Sequence, residues 1–87
     1  MTVAANEASG SVTEQLRQRV AGGLAGADVR VSGDGGRYQI EVVGACFDGV
    51  TRVGRQQLVY ACIDELIRAG TVHAVSIRAL TPAERDA

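Results

Sequence analysis

The chain has 87 residues, the size of one small domain, which leaves no room for a cofactor domain with a separate substrate domain. Hydrophobic residues at 46% and charged residues at 22% are globular proportions and exclude wholesale disorder or a low-complexity chain. A net charge of -1, from 9 basic and 10 acidic residues, gives no global attraction to nucleic acid or to an anionic membrane, so any such contact must come from a local patch.

Residues 1–10 are small and polar without a period and read as a disordered leader, so the folded domain is expected over 11–87. That leader has neither the basic start nor the apolar run of a signal peptide or a membrane anchor, and a cytoplasmic protein is expected. Ser11-Val12-Thr13-Glu14 has the form of a capping box and predicts a helix starting there. Val12, Leu16, Val20 and Leu24 recur every four residues and mark its buried stripe, and Gly22, Gly23 and Gly26 end it. Asp28–Ser32 alternates as a half-buried strand, Gly33–Gly36 is a turn, and Arg37–Val43 alternates again, with Tyr38, Ile40 and Val42 on one side; together they form an antiparallel hairpin. Phe47, the only Phe, is expected to plug the core beneath the connection Gly44–Val50.

Thr51 is the expected cap of a longer helix running to about Ala69, where Gly70 stops it. Leu58, Cys62 and Leu66, flanked by Val59, Ile63 and Ile67, make its apolar face. Val72–Leu80 is the third strand, apolar enough on both faces to read as a central one. Thr81-Pro82-Ala83-Glu84 starts a last helical turn with Thr as cap and Pro at the first helical position. The order helix, strand, strand, helix, strand implies an α+β domain with a three-stranded mixed sheet and two helices on one face, and the right-handed crossover makes the second and third strands parallel.

Catalytic signatures are sparse: there is one His, no nucleophile elbow, no phosphate loop and no Cys-x-x-Cys, so no enzyme is expected. His73 is the sole His and a candidate metal ligand, although on pattern alone a lone His at a strand start is more often a packed or surface residue. Cys46 sits in a loop and Cys62 on an apolar helix face, both expected as reduced thiols, and neither has a second Cys at metal-ligand spacing. Arg52, Arg55 and Gln56, at i, i+3 and i+4, share one helix face that could meet phosphates or an acidic partner, or could simply be solvated.

Three stretches carry a resemblance: Val29-Arg30-Val31-Ser32-Gly33-Asp34-Gly35; Phe47-Asp48-Gly49-Val50-Thr51-Arg52-Val53 followed by Gln56-Gln57-Leu58-Val59-Tyr60; and Val72-His73-Ala74-Val75-Ser76-Ile77 with Thr81-Pro82-Ala83-Glu84. In order and with little gap, they resemble the BolA family, in its bacterial IbaG (YrbA)-like branch. The resemblance implies a fold similar to class II KH domains. It also implies a noncatalytic adaptor that pairs with CGFS-type monothiol glutaredoxins, shares a 2Fe-2S cluster with glutaredoxin and glutathione, holds none alone, and serves iron-sulfur maturation, iron homeostasis and stress response. DNA-binding transcriptional regulation is the alternative role that it implies, with Arg52, Arg55, Gln56 and Arg37 as the partner-binding residues.

Within the resemblance His73 matches the family's C-terminal cluster ligand. The family's second ligand, a His or Cys in the loop between the first two strands, is replaced here by Arg37, whose charged guanidinium cannot ligate iron. Three alternatives stay open: His73 acts with a substitute such as Cys46, fewer protein ligands hold the cluster, or the glutaredoxin is bound without a stable cluster. The family's closing Trp is also absent, replaced by Arg85, which leaves the last helical turn without its usual anchor.

Overall fold

The computed structural model describes residues 3–86. They form α1 (Val3–Gly23), β1 (Asp28–Asp34), β2 (Arg37–Val43), a single 3₁₀ turn (Ala45–Phe47), α2 (Arg52–Arg68), β3 (Ala74–Leu80) and α3 (Pro82–Asp86). The sheet has the order β1-β2-β3, with β1 antiparallel and β3 parallel to β2. α1 packs on β1 and on α2, α2 packs on β3, and the opposite face of the sheet is open.

The first helix begins at Val3 rather than Ser11. Ala4, Ala5 and Ala8 have the strongest intrinsic helix propensity and carry the backbone upstream, so Ser11 lies inside the helix. Glu14, expected to close a capping box, instead binds Arg17 and Gln18 one turn further on. Of the expected leader, Met1 and Thr2 lie outside the described residues and the rest enters α1 as backbone. Its stripe stands as read: Leu16, Val20 and Leu24 are buried and Val12 packs against them.

β1 runs two residues past Ser32, because the register Asp34↔Arg37 closes the hairpin with a two-residue loop. Gly35 and Gly36 hold φ of +60° and +85°, the double left-handed pair that matches the twist of a tight hairpin. β2 is the central strand, with Tyr38, Ile40 and Val42 all buried, and it adds Val43 at its end. β3 is an edge strand and not the central one expected: Val75, Ile77 and Ala79 face the helices while Ala74, Ser76 and Arg78 face out. Val72 is buried ahead of the strand proper, which hid the break in alternation at His73.

α2 has its expected ends. The Thr51 hydroxyl accepts from the Gly54 amide at 3.0 Å, and Gly70, at φ +79°, turns the chain so that the Thr71 amide reaches back to the Leu66 carbonyl. The buried stripe is Val59, Ile63 and Leu66, with Cys62 and Ile67 beside it; Leu58 lies outside, 40% exposed. Phe47 is fully buried, as a plug should be.

Candidate functional site

The parallel pairing of β2 with β3 divides the sheet into two ends. At one end lie the hairpin turn and His73; at the other lie the 3₁₀ turn, α3 and the entry to α2.

His73 is held by its backbone. Its amide donates to the Gly36 carbonyl at 2.7 Å, and the Ala74 amide donates to the same oxygen at 3.0 Å, so the start of β3 is pinned to the hairpin turn. The side chain is exposed and no hydrogen bond engages its ring nitrogens among the described residues. With Tyr60 and Ile67 of α2 and with Val72, Ala74 and Val75, it lines a shallow depression of about 340 Å³. Tyr60 is 40% exposed, so this end of the molecule offers an imidazole beside an apolar wall.

Arg37 is brought to the same end, one strand over and in register with Ala74. Cys46 is not. It follows β2, whereas His73 precedes β3, so the seven residues of β2 stand between them. At about 3.3 Å per residue that is roughly 20 Å, far beyond the span of a shared cluster ligand set. Cys46 is exposed, with its Sγ close to Gly44; the expectation that it substitutes for the missing second ligand therefore fails on distance. Among the described residues no group of three or more His, Cys, Asp or Glu side chains is placed to hold a metal ion. Cys62 is half-buried against α1, its thiol donating to the Leu58 carbonyl at 3.3 Å, and burial pushes its pKa up, which disfavours the thiolate.

The other end is organised by Arg55. Its guanidinium donates to the Val50 carbonyl at 2.9 Å, to the Ala79 carbonyl at 3.2 Å and to both Glu84 oxygens at 2.6 and 3.3 Å, with the Phe47 ring 5.9 Å away. The Gln56 amide donates to the Ile77 carbonyl at 2.9 Å. Both side chains therefore cap outward carbonyls of the β3 edge, a protection that free sheet edges need. Of the expected partner-binding face, Arg55 and Gln56 are in this way engaged internally, while Arg52 is exposed and has no ion pair among the described residues. Glu84 completes a capping box with Thr81, accepting from its amide at 2.9 Å while the Thr81 hydroxyl accepts from the Glu84 amide at 3.2 Å. The Arg55 guanidinium, and then the Thr81 amide, hold the Glu84 carboxyl down to about 2. α3 is thus anchored without a closing Trp, and Arg85 itself pairs with Asp28 at 3.6 Å. A sequence signal for this clamp existed in Glu84, whose capping box places a carboxylate where a helix-borne Arg can reach it.

A helix, a tight hairpin, a crossover helix and a parallel edge strand that presents a histidine at its start make an α+β module of BolA type. The family model described as BolA-like protein matches residues 15–84, and the chain belongs to the BolA family. Within that family it is IbaG-like: it is 53% identical over 57 residues to the acid stress protein IbaG of Escherichia coli (strain K12), covering 66% of this chain and 68% of that one. It is 42% identical over 72 residues to an uncharacterized protein in the rpoN-murA intergenic region of Acinetobacter guillouiae, covering 83% and 87%. Among solved structures, a BolA protein homologue from Coxiella burnetii superposes with a TM-score of 0.75 at 29% identity, covering 86% of this chain and 96% of that one. The BolA domain of SufE1 from Arabidopsis thaliana also gives 0.75, at 25% identity, covering 85% and 95%. No helix among the described residues is long and apolar enough to cross a membrane.

Proposed function

We propose that this chain is a noncatalytic adaptor that docks a CGFS-type monothiol glutaredoxin and offers His73 to a 2Fe-2S cluster shared with the glutaredoxin and glutathione, for iron-sulfur maturation and stress response. The observation that carries the reading is the state of His73: exposed, pinned by its backbone at the sheet end, with no hydrogen bond on its ring nitrogens and an apolar wall of Tyr60, Ile67 and Val72 beside it. With Cys46 about 20 Å away by strand length and Arg37 unable to ligate, this chain supplies one ligand and the partner must complete the set. An imidazole in place of a thiolate changes the charge of such a cluster and raises its potential.

The test is anaerobic reconstitution with a CGFS-type glutaredoxin, glutathione, iron and sulfide, read by visible circular dichroism and native mass. A one-to-one complex is expected, with a spectrum distinct from the glutaredoxin homodimer, that His73→Ala alters and Cys46→Ser leaves unchanged. An unchanged spectrum and cluster lifetime with His73→Ala would remove His73 from the role. The DNA-binding alternative has less support, because Arg55 and Gln56 are engaged internally and the chain carries a net charge of -1. Duplex binding at low salt that Arg52→Ala abolishes would restore it.

A further inference from the structure

The hairpin turn touches the His73 side chain as well as its backbone. A Cβ built on Gly36 would fall 2.5 Å from His73 Cδ2, 3.1 Å from Cγ and 3.4 Å from Cβ, so the carbon side of the imidazole rests directly on the Cα of Gly36. The three nearest atoms are all carbons, and neither ring nitrogen is among them. The preceding Gly35 shares the left-handed backbone, at φ +60° against +85°, yet a Cβ there would meet nothing within 4 Å.

We infer that Gly36 is a positioning residue for His73. The hairpin turn uses it as a seat: its carbonyl fixes the backbone of His73 and Ala74, and its bare Cα fixes the side-chain rotamer so that the nitrogens stay clear of the hairpin. Two demands thus meet at one residue. The tight turn needs a positive φ, which other residues meet at a cost, whereas the seat needs the absence of a Cβ, which glycine alone meets. The functional meaning of the seat rests on the reading of His73 as a ligand, but the seat itself is a property of the isolated chain and is tested there.

In the isolated protein, the three-bond couplings from the His73 backbone to its Cγ report the χ1 rotamer by NMR. A single populated rotamer is expected; couplings at the three-rotamer average would overturn the proposal without any variant. Gly35→Ala and Gly36→Ala both place alanine in the left-handed region and are both expected to lower the melting temperature, Gly36→Ala by more because its Cβ also meets His73. Only Gly36→Ala is expected to change the His73 couplings and the shifts of its ring Cδ2–Hδ2 pair, while leaving β2 and β3 amide shifts beyond the turn in place. Couplings unchanged in Gly36→Ala, or changed equally in Gly35→Ala, would refute the seat. In the glutaredoxin complex, Gly36→Ala is then expected to move the cluster dichroism toward that of His73→Ala. Should His73→Ala itself leave the dichroism unchanged, the ligand reading fails while the rotamer result stands on its own.

Discussion

Gly22 and Gly23 offer a matched pair for testing how closely α1 and α2 approach. A Cβ at Gly22 would meet nothing within 4 Å, whereas one at Gly23 would sit 2.5 Å from Cys62 Sγ, about 1 Å inside ordinary van der Waals contact. Alanine in place of a helical glycine is worth up to about 1 kcal/mol. Gly22→Ala is therefore expected to raise stability by about 0.5–1 kcal/mol, and the melting temperature of a domain this size by about 4–8 °C per kcal/mol. Gly23→Ala carries the same gain against an overpacking cost of about 1–3 kcal/mol. Cys62 can relieve that clash by turning about χ1, away from the Leu58 carbonyl that its thiol meets at 3.3 Å. The net expectation is neutral to destabilising by about 2 kcal/mol for Gly23→Ala. In a Cys62→Ala background the clash disappears, and Gly23→Ala should then stabilise as Gly22→Ala does, a coupling of about 1–3 kcal/mol between residues 23 and 62. Urea titration of the four proteins of this cycle, with Gly22→Ala as reference, measures it. Strict additivity, or a Gly23→Ala as stable as Gly22→Ala with Cys62 in place, would refute the close approach.

Two further outcomes follow from the far end of the sheet. Because Glu84 titrates at about 2 when folded and near its ordinary 4.5 when unfolded, its ionised form contributes stability above about pH 4.5 that is lost as pH falls from 4.5 through 2. Acid unfolding followed by far-ultraviolet dichroism should therefore show a shallower dependence across that window in Glu84→Gln, which also starts from a lower stability at pH 7. A Glu84→Gln curve parallel to wild type would contradict the clamp. Thr51→Ala removes the acceptor of the Gly54 amide at the α2 N-terminus and should cost about 1 kcal/mol by chemical denaturation, with Thr51→Ser restoring most of it.

Strand and helix positions were legible where one physical rule acted alone. β2 alternates over seven residues with three buried side chains on one face, and α2 carries a Thr cap and a stopping Gly, so both elements lie where the pattern puts them. The misses come from competing rules. Ser11 and Glu14 satisfy a capping motif, but the alanines upstream continue the helix and Glu14 finds Arg17 and Gln18 nearer. Arg55 and Gln56 share a helix face with Arg52, and spacing alone cannot say that this face abuts the carbonyls of an edge strand. The distance between His73 and Cys46, by contrast, was already implied: a parallel crossover sets the start of β3 beside the start of β2 and leaves the residue after β2 a full strand away. The contact of Gly36 with the imidazole had no sequence signal, since a glycine in a tight turn explains itself by its backbone angle.

The two ends of the sheet differ in how they are held, and on the proposed reading of His73 as a ligand the difference has a reason. A side chain meant for a ligand shared with a partner must be held in place without using its own nitrogens, because any hydrogen bond to them would compete with that ligand. At the His73 end the holding is done by carbonyl-to-amide bonds from Gly36 and by carbon contact alone. Most of the long-range polar side-chain interactions among the described residues lie at the opposite end, in Arg55, Gln56 and Glu84, while Arg19 pairs with Glu65 to join α1 and α2. That clamp keeps the Glu84 carboxylate ionised down to about 2, so its ion pair with Arg55 persists through mild acid.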